Sequence, residues 1–292
     1  MANLKEIRIR IASVQSTQKI TGAMKMVSAA KLRRAQTAII NLRPYSNKLN
    51  EILKNLSSSA DEMENMPLFQ QRKEENIAIV AISSNRGLCG SFNTNVFKKV
   101  EHILQTQYAQ QVANGNVKLY CIGKKAKEQL IKNHEITWHN ETLLDTSAFD
   151  EIADLGEQLM LDFINKKIDS VRIVYNKFIN PATQELVSED FLPIQNIKNE
   201  SENTQTNDYI FEPSKDTILC ELIPKILKLQ LYKTLLDSIA SEHGARMTAM
   251  HKATDNATEI LKELKLKYNN ARQSSITNEL IEIVSGAEAL NN

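Results

Sequence analysis

Two stretches that proline does not interrupt lie at opposite ends of the chain, and they limit its fold more than any other feature. From Asn3 to Arg43 there is no proline and one glycine, Gly22, while Leu4, Ile7, Ile11 and Val14, then Ile20, Met24 and Val27, then Leu32, Ile39 and Leu42 recur at helical steps. The pattern resumes after Pro44 through Leu49, Ile52, Leu53 and Leu56, which predicts a helix kinked at Pro44 rather than ended there. From Lys225 to Asn292 proline is again absent, and the apolar series is Ile226, Leu229, Leu236, Ala240, Met247, Met250, Ala257, Leu261, Leu264, Tyr268, Ile276, Leu280, Val284 and Ala287. At about 1.5 Å per residue a helix of this length spans roughly 100 Å. The mean globular helix has about 11 or 12 residues, and one this long needs a partner over its apolar stripe. The other stripe is the only one available, so the two ends are expected to pair as a long antiparallel coiled coil.

Composition agrees. Glycine, 8 of 292 residues, and proline, 6, are both well below usual levels, which argues against a turn-rich all-β fold. Between the ends the texture changes. IAIVAI at 77–82 has the continuous apolar character of a strand buried on both faces. Alternating patterns predict a helix over 92–107 capped by Ser91, a strand over 117–122, a helix over 124–132, a strand over 136–139, a helix over 149–164, and strands over 171–175 and 186–193. The expected fold is therefore α/β plus a long antiparallel coiled coil: an N-terminal coiled-coil helix over 1–56, an inserted Rossmann-like domain with a mostly parallel sheet over 76–194, and a C-terminal coiled-coil helix over 215–292. Residues 57–75 and 195–214, rich in polar residues, read as connecting loops.

Overall charge is nearly balanced, yet residues 1–40 carry eight basic residues against Glu6 alone. Nucleic acid, a membrane surface and an acidic protein surface could all face such a segment. It has no aromatics for base stacking and no Trp or Phe for membrane anchoring, which ranks the acidic protein surface first. Cys89, Cys121 and Cys220 show no CxxC and no cluster at metal-ligand spacing, as in a chain from a reducing compartment. The start, MANLKEIRIRIA, is not that of a secretory leader, and no run approaches the ~18 apolar residues of a membrane span.

Ser83–Asn95 follows a strand, contains Gly87 and Gly90 and opens a helix, as a phosphate loop would, but it has neither GxxxxGK[ST] nor GxGxxG. It reads better as a tight turn in which glycines permit close packing. Cys89 reads as a small buried thiol rather than a nucleophile, with His102 or His139 left as spatial partners to be tested. His243 and His251 are too far apart on one helix to share a metal. Arg272, Gln273, Ser274 and Ser275 form a polar patch on the last helix, and Arg272 is a fork able to hold a carboxylate bidentately.

Three segments carry a resemblance: IRIRIASVQSTQKITGAMKMVSAAKLRRAQ from Ile7, SNRGLCGSFNTNVF from Ser84, and SEHGARMTAMHKATDNATEILKELKLKYNNARQSSITNELIEIVSGAEA from Ser241. In this order, with YIFEP at Tyr209, they resemble the gamma subunit of the F-type ATP synthase, its central rotor stalk. The resemblance implies a non-catalytic shaft that binds no nucleotide and needs no cofactor or metal. Such a shaft couples proton flow through the membrane ring to conformational change in the alpha/beta hexamer, where ATP is made from ADP. The implied partners are the alpha, beta and epsilon subunits and the ring of membrane c subunits, with no nucleic acid and no direct membrane insertion. Met24, Lys25, Lys31, Arg33 and Arg34 match positions facing an acidic loop of the catalytic subunits. Arg272, Gln273 and Thr277 match positions touching catch loops, and Tyr209 and Glu212 lie where the family meets the membrane ring and epsilon.

The chain lacks a chloroplast-type insertion and an organelle presequence, so a peripheral place on the cytoplasmic face of a bacterial inner membrane is expected. Gly244 stands in a helix where alanine or a similar residue is commoner in the family, and is expected to cost that helix roughly 0.5–1 kcal/mol. Two other classes compete: a nucleotide-using enzyme with a coiled-coil arm, and a nucleic-acid-binding coiled coil.

Overall fold

The computed structural model describes residues 4–56, 66–194 and 215–291. The chain forms two compact units, residues 1–28 with 247–292 and residues 29–246. Helix α1 covers Leu4–Leu56 and helix α7 covers Lys215–Asn291. Each passes through a proline, α1 through Pro44 and α7 through Pro224, so neither proline ends its helix. A proline forfeits one backbone hydrogen bond, and the packed turns on either side hold the helix across that gap. Helix α7 starts ten residues ahead of the proline-free run that signals it.

In the first unit, α1 and α7 pair antiparallel. Gln18 Nε2 donates to Thr258 Oγ1 at 2.8 Å and the Thr21 and Thr254 hydroxyls lie 2.9 Å apart, so rising numbers on one helix meet falling numbers on the other. On α7 the covered positions are Met250, Thr254, Ala257, Leu261, Leu264, Tyr268, Ala271 and Ser275, an unbroken three-four spacing. On α1 they are Leu4, Ile7, Ile11, Val14, Gln18, Thr21, Lys25 and Ser28. The sequence pattern points instead to Ile20, Met24 and Val27 for the upper part of this stripe, yet Ile20 is 57% and Val27 59% exposed. Six residues separate Val14 from Ile20, which turns Ile20 about 120° away from the seam. The three-four spacing that began at Leu4 passes to polar residues, and the apolar series leaves it. Expected seam positions on α7 also fail at Ile276, Leu280 and Val284, 50%, 56% and 56% exposed, because they lie beyond Ala271 and Ser275, the α7 residues that flank Leu4 and Ile7.

Buried polar layers in a coiled coil fix its register at some cost in stability, since a slipped register would strand their donors. The Thr21–Thr254 layer does this here, with the Gln18–Thr258 bond beside it at the exposed edge of the seam, and Ser28 and Thr258 turn back onto the Met24 and Thr254 carbonyls.

The second unit contains the sheet. Its strands are β1 (Ile77–Ile82), β2 (Val117–Ile122), β3 (Ile136–Asn140), β4 (Ser170–Phe178) and β5 (Gln184–Leu192), in the order β3-β2-β1-β4-β5. All pairs are parallel except β4–β5, whose short connection makes a hairpin. Every residue of β1 is buried, as its uninterrupted apolar run requires of the central strand. Helices α2 (Phe92–Thr106) and α4 (Lys124–Leu130) cover a core of Ile77, Ile79, Val96, Val100, Leu119 and Leu130. Helix α6 (Phe149–Ile164) packs on α7, where Gly156 lets Leu231 approach to 3.6 Å of its would-be Cβ and Phe149 meets Tyr232 edge-on. Two short helices, α3 (Ala109–Ala113) and α5 (Leu143–Thr146), leave no periodic signal in the sequence.

Part of the expected connection 57–75 is core. Pro67–Phe69 forms a 3-10 turn that buries Leu68 and Phe69, and Ile194 N donates to Leu68 O at 3.0 Å. Residues 57–65 and 195–214 lie outside the described residues. Ser91 precedes α2 as expected, but its hydroxyl makes no cap bond. Asn93 does the local work instead, accepting from Ser84 N at 3.0 Å, with its Oδ1 2.9 Å from Ser84 Oγ.

Gly244 is not simply a weak point of α7. A Cβ there would stand 3.1 Å from Pro181 O and 3.2 Å from Pro181 Cα, so the β4–β5 turn packs directly on the helix backbone. Helix propensity favours alanine by ~0.5–1 kcal/mol, whereas displacing a hydrogen-bonded turn costs ~1–3 kcal/mol. Gly244→Ala is therefore expected to destabilise the chain by about 1 kcal/mol in denaturant titration, and a stabilised variant would contradict this packing.

Candidate functional site

Strand order reverses between β1 and β4, and beyond the carboxyl ends of these strands a doubly wound sheet leaves the crevice in which such folds hold ligands. Here the crevice is taken by α7. Gly244 sits on the β4–β5 turn, and Arg246 Nη2 donates to the carbonyls of Arg86 at 3.0 Å and Gly87 at 3.4 Å in the loop after β1. Phosphate loops aim backbone N–H groups at an anion. This loop aims carbonyl oxygens at a cation carried by its own chain.

The loop's glycines serve a different purpose from the one expected. A Cβ on Gly87 or Gly90 would meet nothing within 4 Å; Gly90 is needed for its φ of +62°. The close approach falls at Gly123, where a Cβ would lie 2.6 Å from Ser83 O. Cys89 is a buried thiol, as expected, and burial pushes its pKa up, with the Ser84 hydroxyl and the Arg246 charge pulling weakly the other way. Its sulfur accepts from Asn93 Nδ2 at 3.2 Å and lies 3.8 Å from Arg86 O and from Ser84 Oγ. His102 and His139 are not beside it: His139 contacts Lys127 and the backbone of His102 accepts from Thr106. A protonated, histidine-free thiol is a poor nucleophile.

Around Arg246 lies a charged cluster that the sequence pattern does not announce as buried. Glu242 Oε1 accepts from Arg246 Nη1 at 2.5 Å, and His243 Nδ1 lies 3.4 Å from the same nitrogen. Glu242, His243 and Arg246 are all buried. Burial raises the Glu242 pKa against the opposing pull of Arg246. Burial lowers that of His243 to about 4, helped by the Arg246 and Lys31 charges. The one available sequence signal is the four-residue step from Glu242 to Arg246, the spacing of an ion pair along a helix.

The surface positions singled out in the sequence are distributed as follows. Met24 and Lys25 are half-buried on α1 of the first unit, and Arg272, Gln273 and Thr277 are exposed on its α7. Lys31, Arg33 and Arg34 are exposed on α1 of the second unit. Lys25, Arg33, Arg34 and Arg272 make no ion pair among the described residues. The Thr277 hydroxyl is bound to Gln273 O at 2.9 Å, so it is turned onto its own helix. Beyond Ser275, Leu280, Ile281, Ile283 and Val284 are all more than half exposed. Tyr209 and Glu212 lie outside the described residues. Among the described residues no helix is long and apolar enough to cross a membrane, and no group of three or more metal-ligating side chains comes together.

A family model described as ATP synthase matches residues 3–290. The ATP synthase gamma chain of Christiangramia forsetii is 53% identical over 291 residues, covering all of both chains, and that of Flavobacterium johnsoniae is 51% identical with the same coverage. The chain belongs to the ATP synthase gamma chain family. Among solved structures, a chain of the Euglena gracilis mitochondrial ATP synthase, in an OSCP/F1/c-ring assembly, matches with a TM-score of 0.67 at 21% identity, over 98% of this chain and 94% of that one. A rotor chain from the same organism matches at a TM-score of 0.63 and 22% identity over 94% and 98%. At such identities these two likenesses concern the fold: paired terminal helices with an inserted α/β sheet.

The depressed His243 pKa gives a pH test. Between about 4 and its ordinary 6.5 the unfolded chain binds the proton that the folded chain refuses, so this residue's contribution is full above 6.5 and is lost as pH falls towards 4. Glu242 and Asp237, both raised by burial, tilt the opposite way, so the informative quantity is a difference. The stability of the parent chain minus that of His243→Gln is expected to grow as pH rises through this window, by at most about 1.4 kcal/mol per unit, and to level off above it. A flat difference in urea titrations across the window would place a charged histidine in the folded chain.

Proposed function

We infer that this chain is the central stalk of a proton-translocating F-type ATP synthase, the rotating subunit that couples ion flow to the catalytic sites of its neighbours. The observation that carries the reading is the surface of the helix pair. Among the described residues it presents basic groups without ion-pair partners at Lys25, Arg33, Arg34 and Arg272, and past Ser275 it ends in an uncovered aliphatic tail. Burying that tail in a partner would be favourable by ~25 cal/mol per Å² of apolar surface, while the guanidinium and ammonium groups suit acidic loops. Alpha and beta subunits supply both kinds of surface. The epsilon subunit and the ring of c subunits meet the other end, with Tyr209 and Glu212 in that contact. The assembly holds the chain at the cytoplasmic face of a bacterial inner membrane.

No catalytic residue on this chain is required. A shaft without three-fold symmetry, set inside a three-fold ring, cannot touch three catalytic sites alike. Each site is then biased by its own contact, and because such coupling is reciprocal, turnover at the sites can equally drive the shaft. Met24, Lys25, Lys31, Arg33 and Arg34 form one grip, and Arg272, Gln273 and Thr277 form the other.

A tag on this chain should retrieve the remaining synthase subunits. In the complex so purified and returned to vesicles, replacing Lys25, Arg33 and Arg34 together by Glu is expected to lower ions pumped per ATP hydrolysed severalfold while assembly persists. Retrieval of the chain alone, or pumping per ATP equal to the parent, would refute the reading.

A further inference from the structure

We propose that Arg246 is a latch: the sheet's own internal ligand, which fastens the loop after β1 to α7 and sets that loop's conformation. The proposal rests on the geometry of the second unit and not on the rotor reading. The loop cannot owe its shape to burial of its tip, since Leu88 at that tip is 64% exposed. Nor is the backbone there relaxed. Leu88 has φ 64° and Gly90 φ 62°, two left-handed residues within three positions, and only the glycine adopts this region freely. Left-handed leucine persists only where surrounding structure dictates it.

Asn85 ties the start of the loop to Glu141 O and Lys124 N, at 2.8 and 3.1 Å, and its tip is held from two sides. Inside the loop, Ser84 Oγ donates to Arg86 O at 2.7 Å and lies 2.9 Å from Asn93 Oδ1. From outside comes the Arg246 fork, buried, with one nitrogen on the Arg86 and Gly87 carbonyls and the other on the Glu242 carboxylate. A planar guanidinium meets carbonyls and carboxylate at once, whereas an ammonium on a shorter reach would have to choose. Glu242 holds the fork in place and offsets the burial of its charge; removing either partner would leave the other buried and unpaired. The carbonyls of Arg86 and Gly87 face the crevice in which a doubly wound sheet receives its ligand, so the latch fills that crevice with a group from 160 residues further along the chain. Through it, the position of α7 at this height dictates what the loop presents to its surroundings, the outward Leu88 above all.

Cys89, a buried residue of the loop itself, and Cys121, buried in β2, report the two kinds of opening. The experiment is peptide-resolved alkylation of the full-length folded chain with iodoacetamide, comparing the parent with Arg246→Met and Arg246→Lys. The latch predicts that Arg246→Met raises the Cys89 rate tenfold or more with Cys121 unmoved, and that Arg246→Lys falls between the two because it restores the charge and part of the fork. A Cys89 rate unchanged in Arg246→Met would overturn the proposal. So would Cys89 and Cys121 rising in step in both variants, which would make Arg246 a general stability element with no particular hold on the loop.

Discussion

The pairing of the chain's two ends is the interaction on which everything else depends. Neither α1 nor α7 could exist alone at its length, because each carries an apolar stripe that must be covered, in the first unit by the other helix and in the second unit, for α7, also by α6 and the β4–β5 turn. In the first unit that cover is uneven. Leu4, Ile7, Ile11 and Val14, each half-buried, face Leu261, Leu264 and Tyr268, and each contributes part of the ~1.5–3 kcal/mol of a fully buried aliphatic side chain. Further along, the part-buried Thr21–Thr254 pair and the exposed Gln18–Thr258 bond add little net stability but favour one register. Grip and alignment are thus assigned to different parts of one seam. For a shaft this is a sensible division, since a coil that slipped under torque would lose the relation between its surface and its surroundings.

A second theme is a reversal of polarity. An α/β sheet with a strand-loop-helix turn at its centre usually exposes donors to an anionic ligand. Here Arg86 and Gly87 offer acceptors, Ser84 N is already taken by Asn93, and the cation is Arg246 of the same chain. The fold keeps the architecture of a ligand-binding domain and uses its crevice as a joint. Gly244 and Arg246, two residues apart on α7, engage the two lips of that crevice in different ways, one by direct backbone packing and one by hydrogen bonds.

The sheet was the most legible part of the sequence. IAIVAI has no reading other than a strand buried on both faces, and β2, α2 and α6 follow from equally plain patterns. The seam was legible only where it is apolar. Hydrophobic periodicity cannot see a position filled by Gln18 or Thr21, so it followed Ile20 and Val27 onto the outer face, where they are exposed. The charged cluster at Glu242, His243 and Arg246 was hidden for a related reason: charged residues on a long helix are expected to face water, and nothing local says that a loop 160 residues earlier will cover them. Gly244 is explained by Pro181, a contact no local pattern contains. The short helices α3 and α5 fall below the length at which periodicity carries a signal.

The central claim is that the two ends act as one axle in a single register while neighbouring subunits work. A disulfide between Thr21→Cys and Thr254→Cys, made in the assembled complex, tests it most directly because it staples the seam where the two hydroxyls stand 2.9 Å apart. The account predicts that the bond forms readily on mild oxidation and that ATP turnover and pumping continue at rates close to those of the reduced complex. Failure of the bond to form, or loss of turnover that returns on reduction, would mean that the helices part or slide during work.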